Sequence, residues 1–249
     1  MYNEIITRFL RRHGYMEVRP EAALIDMDGT LYDSMPGHAA AWQQMMREQG
    51  VEIERSEFLR HEGRTGRATI DLLFRRYLGR EATDQEKETL YRRKTEIFAA
   101  MQPPVPMEGA SEILRFMEGV GMTRVLVTGS GQNSLLNRLD TDYPGAFTPE
   151  LRVTSRNVTH GKPHPEPFLK GLELAGVRAD RCIVLENAPL GVEAGDKAGI
   201  FTIAVNTGHL PEEELWDAGA SIVFPTMTEA AAQFPILVYG MLTTSLNLN

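Results

Sequence analysis

The sequence has little cysteine, few basic residues relative to acidic ones, and no long apolar run. Cys182 is the single cysteine of 249 residues, so an internal disulfide is excluded. It lies in the apolar run Cys182-Ile183-Val184-Leu185, which predicts a buried structural thiol. A reducing, cytoplasmic setting is compatible with this pattern, and we expect it.

No apolar stretch approaches the roughly 20 residues that a membrane-spanning helix needs. The longest, around 235–242, is interrupted by Tyr239 and Gly240, so no membrane association is expected. Residues 1–20 carry four arginines and lack a continuous apolar stretch before a cleavage site, so a secretory signal is not expected. We predict a short amphipathic helix in this N-terminal extension.

Acidic residues outnumber basic ones, 34 Asp and Glu against 26 Lys and Arg, which gives a formal net charge of −8. Because no dense basic run offsets this charge, nucleic acid is not an expected partner. An anionic ligand would therefore have to be held by local positive groups or by a metal ion. The 42% apolar content allows a sizeable core in one large domain, or in a domain that carries an insertion.

Apolar runs bounded by turn signals predict buried strands that alternate with helical patterns. This alternation indicates a parallel sheet covered on both faces, an α/β fold. The predicted strands are Ala22 to Met27, Arg124 to Val127, Cys182 to Leu185 and Phe201 to Val205.

The interval between the first and second of these strands is helical in pattern throughout. Its apolar residues recur at spacings of three and four in 39–49, 67–78 and 85–100. The prolines of segment 103–106 end the helical pattern. We predict a Rossmann-like core over 21–34 and 107–249, with an inserted helical cap over 35–106.

Two acids, Asp26 and Asp28, directly follow the first predicted strand. Ligands of open α/β sheets bind at the carboxyl ends of the strands, and Gly29 permits a sharp turn there. A calcium loop counted from Asp26 would need Gly and Glu where Leu31 and Gly37 stand. A solvated turn and a structural metal site remain alternatives on this motif alone.

Asp26-Met27-Asp28-Gly29-Thr30 resembles the nucleophile motif of the haloacid dehalogenase-like superfamily. Further motifs similar to those of that superfamily follow in order. They are Val127-Thr128-Gly129-Ser130, Lys162 within Gly161-Lys162-Pro163-His164-Pro165, and Glu186-Asn187. The position of the helical insertion is similar to that in the β-phosphoglucomutase-like branch.

The resemblance implies a phosphoryl-transfer enzyme that depends on Mg²⁺ and acts on a small phosphorylated substrate. Asp26 would attack phosphorus and form an aspartyl-phosphate, and Asp28 would serve as general acid and then base. Such chemistry needs cations against the phosphoryl oxygens. The residues implied for phosphate binding are Thr128, Gly129, Ser130 and Lys162, and those implied for the metal are Asp26, Asp28, Glu186 and Asn187. Asp28 favours phosphoryl transfer over dehalogenation, since dehalogenases of the superfamily lack this second acid.

The chain departs from the branch at two positions. The metal motif commonly reads Glu-Asp, whereas Asn187 stands in the second place here. The mutases of the branch place a lysine before the glycine of their specificity loop, where this chain has Glu62. Our hypothesis is that Glu62 approaches the magnesium beside Asn187 when the cap closes, and that this favours a compact, doubly anionic substrate.

Three functions remain open from the sequence. The segments 61–66 and 186–191 resemble those of a pyrophosphatase sub-branch, so we place inorganic pyrophosphate first. A β-phosphoglucomutase or sugar-phosphate phosphatase is the alternative, and a non-catalytic phosphate-binding protein is the third. We expect His38 to couple cap closure to Asp28, and Arg64 and Arg67 to face the distal phosphate. The sequence predicts no oligomeric state.

His160 and His164 have the spacing of a helical zinc-binding pair. Pro163 and Pro165 argue against a helix at this point. The sequence therefore predicts no zinc site there.

Overall fold

Six parallel strands form the central sheet of the protein. The computed structural model describes residues 2–131 and 133–246, apart from the side chains of residues 133–135. The strands are β1 Ala22–Ile25, β2 Tyr32–Asp33, β3 Val105–Pro106, β4 Thr123–Val127, β5 Arg152–Val153, β6 Cys182–Glu186, β7 Phe201–Val205 and β8 Ile222–Phe224. The sheet has the order β5-β4-β1-β6-β7-β8, while β2 and β3 form a separate antiparallel pair.

Helices cover the sheet and fill the insertion. They are α1 Asn3–His13, α2 Met35–Glu48, α3 Arg55–Leu59, α4 Gly66–Leu73, α5 Asp84–Ala99, α6 Ala110–Gly119, α7 Asn133–Asp142, α8 Glu166–Ala175, α9 Pro189–Lys197, α10 Glu212–Asp217 and α11 Met227–Thr243. Within the part of the chain that the structure describes, no helix has the length and apolar character needed to cross a bilayer.

The sheet confirms the α/β architecture predicted from the apolar runs. Strands β1, β6 and β7 are buried at every residue, as expected for a parallel sheet covered on both faces. Cys182 is fully buried in β6, and burial raises the pKa of its thiol. The short strands β5 and β8 were not predicted, because runs of two and three residues carry no recognisable periodicity.

The two ends of the inserted segment lie side by side, because the strands that flank it pair with each other. Strand β2 pairs with β3, with Tyr32 opposite Pro106 and Asp33 opposite Val105. Helices α2 to α5 lie between these two strands in the chain. The pattern over 67–78 predicts one continuous helix, but α4 ends at Leu73 and a π-helical turn, Phe74–Leu78, follows it. The division into cap and core at 35 and 106 stays a prediction.

Helix α1 packs against the core, which settles where the N-terminal extension lies. Ile6, Phe9 and Leu10 are buried on one of its faces. The ring of Phe9 meets that of Phe201 in β7 edge-on, with 5.1 Å between centroids. The first helix is therefore a structural part of the core.

Replacing Leu10 with Ala tests this role. Leu10 is fully buried, so its truncation should lower the free energy of unfolding by about 2–5 kcal/mol. Urea denaturation followed by circular dichroism measures the change, and Arg8→Ala on the exposed face of α1 is the control. Equal unfolding midpoints for the two variants would contradict the packing described.

Candidate active site

The order of the strands brings the predicted motifs together. β1 lies between β4 and β6, and the chain passes from β1 first to one side of the sheet and later to the other. A crevice opens at such a switch point beyond the carboxyl ends of the strands. Asp26 follows β1, Thr128 follows β4, and Asn187 follows β6, so all three border this crevice.

The Lys162 side chain is the centre of the site. Its ammonium group donates to Asp26 Oδ1 at 2.5 Å, to Glu186 Oε1 at 2.6 Å and to the Val127 carbonyl oxygen at 3.1 Å. The lysine side chain is 1% exposed. One buried ammonium group thus joins the loops that follow β1, β4 and β6.

The charges around Lys162 influence one another strongly. Burial acts to lower the pKa of Lys162, but the carboxylates of Asp26 and Glu186 outweigh it and raise the pKa above its usual range. Burial raises the pKa of Asp26 well above its usual range; Lys162 opposes this, and Glu186 and Asp28 add to it. Lys162 is therefore charged at neutral pH, and Asp26 lies in an environment with more negative charge than one ammonium group neutralises.

Glu186 uses both of its carboxylate oxygens within the protein. Oε1 accepts from Lys162, and Oε2 accepts from the backbone N–H groups of Asn187 and Ala188 at 2.8 and 2.9 Å. A Cβ atom on Gly191 would lie 1.7 Å from Oε1, so glycine makes room for this carboxylate. The sequence assigns Glu186 to the metal; in the structure its contacts position Lys162 and the loop after β6.

The second acid of the motif has different partners from the first. Asp28 Oδ1 accepts from the Ser34 hydroxyl at 2.7 Å and lies 2.9 Å from His38 Nε2. Burial acts to raise the pKa of Asp28, but His38, Ser34 and Lys94 together lower it. Asp28 is thus a carboxylate in the resting site and needs a proton from its neighbours to act as an acid. His38 thus contacts Asp28, and its role in coupling cap closure to Asp28 stays a prediction.

Lys94, which no sequence motif marks, completes this arrangement. Its ammonium group lies 2.7 Å from His38 Nδ1, and the His38 ring stacks on Phe98 with 4.1 Å between centroids. Lys94 is buried, and burial lowers its pKa to about 7. A charged Lys94 that donates to Nδ1 leaves the His38 proton on Nε2, directed at Asp28. In the sequence, Lys94 looks like an ordinary surface lysine four residues before Phe98 in α5. Only its tertiary contact with His38 reveals its role.

The loop after β4 supplies a cradle of polar groups. The Thr128 hydroxyl oxygen accepts from the Ser130 N–H at 3.0 Å, and both side chains are buried. Because this oxygen acts as an acceptor, the Thr128 O–H remains available to donate. Thr128, Gly129 and Ser130 all line the cavity that Asp26 and Asp28 border.

Glu62, which belongs to the inserted segment, contacts Asn187 after β6. The Asn187 Nδ2 group donates to both Glu62 carboxylate oxygens at 3.2 Å. The Asn187 Oδ1 atom accepts from the Thr30 hydroxyl at 3.4 Å. A Cβ atom on Gly29, whose φ is +82°, would lie 2.0 Å from Asn187 Nδ2 and 3.1 Å from Glu62 Oε1. The glycine of the motif therefore leaves the space in which Glu62 and Asn187 meet.

The Glu62 carboxyl group lies among other acids. Burial raises its pKa well above the usual range, and Asp26 and Glu186 raise it further. A group of carboxylates whose pKa values are raised by each other is an environment that a divalent cation would stabilise. The carboxylate oxygens are hard ligands that suit Mg²⁺. The Asn187 Oδ1 atom, which accepts from Thr30 at 3.4 Å, would join them if the amide turned from Glu62 toward the ion. The residues present therefore fit the predicted metal.

The loop that carries Gly63 packs against the loop after β4 in this structure. A Cβ atom on Gly129 would lie 2.7 Å from the Gly63 carbonyl oxygen, so the two loops touch backbone to backbone. The cavity between them has a volume of about 70 Å³. By the roughly 10–15 Å³ that each water needs, it holds about five water molecules. The site is thus small when closed.

The two predicted arginines lie in different places. Arg64 lines the cavity, and its buried Nε atom has no hydrogen-bond partner among the described residues. Burial lowers the pKa of Arg64, with Glu193 opposing. Arg67 is exposed, forms an ion pair with Asp84 at 2.5 Å and lies in a separate cleft outside the cavity. The expectation that Arg67 faces the substrate in the cavity is therefore corrected.

The sequence profile of haloacid dehalogenase-like hydrolases matches residues 20–199. The chain belongs to the haloacid dehalogenase-like hydrolase family. Hexitol phosphatase A of Escherichia coli is 32% identical over 190 residues, which cover 76% of this chain and 84% of the relative. Fructose-1-phosphate phosphatase YqaB of the same species is 26% identical over 199 residues, 76% and 98% of the two chains.

This haloacid dehalogenase-like hydrolase also resembles solved structures over nearly its whole length. A candidate β-phosphoglucomutase from Bacteroides vulgatus superposes with a TM-score of 0.93 and 42% identity, covering 96% of this chain and 98% of that one. The family, the α/β fold and the phosphatase or phosphotransferase class of the enzyme are thereby shown. The names of the two Escherichia coli relatives give a hexitol phosphatase and a fructose-1-phosphate phosphatase.

Replacing Lys94 with Met tests the arrangement around Asp28. In the wild type, turnover should fall as pH rises through about 7, because Lys94 then loses the proton that fixes the His38 tautomer. Lys94→Met should lack this inflection and lose about 100-fold in kcat, the lower end of a general acid–base contribution. The measurement is the pH profile of phosphate release.

The matched control is Arg93→Met, which removes the neighbouring exposed cation that pairs with Glu48. Its profile should match that of the wild type. A Lys94→Met profile that superposes on the wild type would remove Lys94 from the account.

Proposed function

We propose that this enzyme hydrolyses compact phosphoanhydrides, inorganic pyrophosphate first, with Mg²⁺ and through an aspartyl-phosphate on Asp26. The observation that carries the proposal is the place of Glu62, which meets Asn187 inside the closed site. A carboxylate there repels a second phosphate unless a cation lies between them. A small, highly charged substrate that arrives with Mg²⁺ satisfies this requirement.

Mg²⁺ held by Asp26, Glu62 and Asn187 would neutralise the charge on the phosphoryl oxygens. The Asp28 side chain keeps its contacts with Ser34 and His38 and is free for proton transfer. Lys162 holds Asp26 Oδ1 and leaves Oδ2 to attack phosphorus. The bond between phosphorus and the leaving oxygen breaks as the acyl-phosphate bond to Asp26 forms.

Asp28 donates a proton to the leaving oxygen. It then accepts a proton from the water that attacks the phosphorus of the aspartyl-phosphate. This second attack releases phosphate and restores the Asp26 carboxylate. His38 and Lys94 supply the proton with which Asp28 enters the first cycle, and the proton taken from water restores the acid for the next one. The Thr128 hydroxyl and the amides after it hold the transferred group.

Two features of the cavity support a compact substrate. Its closed volume of about 70 Å³ is far below the roughly 300 Å³ at which pockets for larger ligands begin. Arg64 borders the cavity, and its buried Nε has no hydrogen-bond partner within the described chain, so it is suited to a distal phosphate. These features favour a hydrolase over a mutase, because a mutase must reorient a sugar bisphosphate within the site.

A sugar-phosphate phosphatase is the second candidate. The relatives in the comparison act on phosphorylated carbohydrates. The cavity is also bordered by the aromatic side chains of Trp42, Phe58 and Tyr91, on which a sugar ring can pack when the cap opens. A non-catalytic phosphate-binding protein is disfavoured by the complete set of nucleophile, acid, lysine and hydroxyl.

A substrate panel separates these candidates. We expect kcat/KM for pyrophosphate with Mg²⁺ to exceed that of the best hexitol or hexose phosphate by at least about 10-fold, or about 1.4 kcal/mol in the barrier. Phosphate release is measured for each compound and for a nucleotide, beside an isomerisation assay with β-glucose 1-phosphate. A sugar phosphate that equals pyrophosphate would establish the second candidate, and isomerisation would establish a mutase.

Glu62→Gln tests the role of the cap carboxylate. The change keeps the size of the side chain and removes its charge, so the Mg²⁺ concentration at half-maximal rate should rise by about 10-fold and pyrophosphate turnover should fall. Glu54→Gln, at an exposed carboxylate of the same inserted segment, is the control. An unchanged magnesium requirement in Glu62→Gln would make Glu62 a bystander.

A further inference from the structure

Three potential metal ligands lie together on the turn that carries Lys162. His160, His164 and Glu166 offer ligand atoms that all lie within 4.8 Å of one another. The two imidazole rings are 4.7 Å apart between centroids. None of these side chains takes part in the active site described above, and none lines its cavity.

The pair comes together by a turn rather than by a helix. The sequence analysis excluded a helical zinc pair because of Pro163 and Pro165, and residues 160–165 are indeed not helical. The His164 N–H donates to the Gly161 carbonyl oxygen at 3.0 Å, which folds the segment back on itself. Glu166, the first residue of α8, then stands beside both histidines.

We propose that His160, His164 and Glu166 bind a divalent transition-metal ion of the zinc class. Two imidazoles and one carboxylate form a ligand set that zinc accepts, with water in the fourth position. Imidazole nitrogen favours Zn²⁺, Ni²⁺ or Co²⁺ over Mg²⁺, which prefers oxygen. The ligand chemistry thus separates this site from the oxygen-rich site at Asp26.

The distances are close to those that an ion needs. His160 Nδ1 lies 3.0 Å from Glu166 Oε2, and two ligands of a tetrahedral zinc ion lie about 3.3 Å apart. The proton that these two atoms share is replaced by the ion. The His160 side chain is 63% exposed, so it can move to close the longest separation.

His164, the third ligand, would exchange a backbone hydrogen bond for a bond to the metal ion. His164 Nδ1 accepts from the Glu166 N–H at 3.1 Å, and the ion takes the place of that hydrogen bond. The freed N–H lies in the first turn of α8, where a backbone donor has no partner within the helix and water can satisfy it. Glu166 keeps the backbone N–H groups of Thr159 and His160 as donors at 2.8 Å, which orient its carboxylate.

Occupation would cross-link the segment on both sides of Lys162. His160 precedes the lysine by two residues and His164 follows it by two. Metal bound to the folded protein stabilises it by mass action, so Zn²⁺ should raise the melting temperature in proportion to its binding. This inference is independent of the substrate proposed above.

Calorimetric titration of the metal-stripped full chain with Zn²⁺, in excess Mg²⁺ to fill the oxygen site, tests the proposal. We expect one equivalent of Zn²⁺ to bind, and His160→Ala or His164→Ala to weaken it at least 10-fold with unchanged urea midpoints in the absence of zinc. The zinc-induced rise in melting temperature should disappear in both variants. Titration with Co²⁺ gives an independent reading, since imidazole ligation changes its visible absorption.

His209→Asn, at an exposed histidine in another loop, is the matched control and should keep the full response. Absence of a Zn²⁺ equivalent in the wild type would overturn the proposal. An equivalent that survives in both His160→Ala and His164→Ala would do so as well, because the ion would then lie elsewhere.

Discussion

The buried ammonium group of Lys162 is the interaction on which the site depends. It joins Asp26, Glu186 and the Val127 carbonyl oxygen, and so fixes the loops at the ends of three adjacent strands. A buried ion pair of this kind costs desolvation energy and becomes favourable only when every partner is satisfied. Removal of the lysine would leave two buried carboxylates without a cation. The position of Asp26, the proposed nucleophile, is therefore maintained by the same contact that compensates its charge.

The site still carries more negative than positive charge, and this excess explains its chemistry. Glu62 adds a further carboxylate from the inserted segment and meets Asn187 where Gly29 leaves room. Asn187 stands where the resembled branch commonly has an acid, and Glu62 adds an acid from the inserted segment. The number of carboxylates at the site is therefore the same. In the proposed function a divalent cation would offset this excess, and an anionic substrate would enter the site only together with it.

Local patterns predict the frame of the molecule, and tertiary contacts decide the rest. The apolar run before Asp26 and the motif spacing place the nucleophile, its partner acid and the lysine, because each is fixed by its own strand end. Lys94 escapes prediction since its contact with His38 joins α5 to α2, and no local signal marks it. Arg67 follows the motif of the cap loop, yet the turn of α4 carries it to Asp84 on the surface. The motif spacing predicts Glu186 as a site residue, but only the structure shows its hydrogen bond with Lys162.

The proposed function depends on covalent phosphorylation of Asp26. Asp28→Asn should slow hydrolysis of the intermediate more than its formation, so rapid quenching with the best radiolabelled substrate should trap label on the protein. Borohydride reduction followed by peptide mass spectrometry should then place the modification at Asp26, and Asp26→Asn should carry no label and show no turnover. Label at another residue, or turnover that persists in Asp26→Asn, would contradict the account.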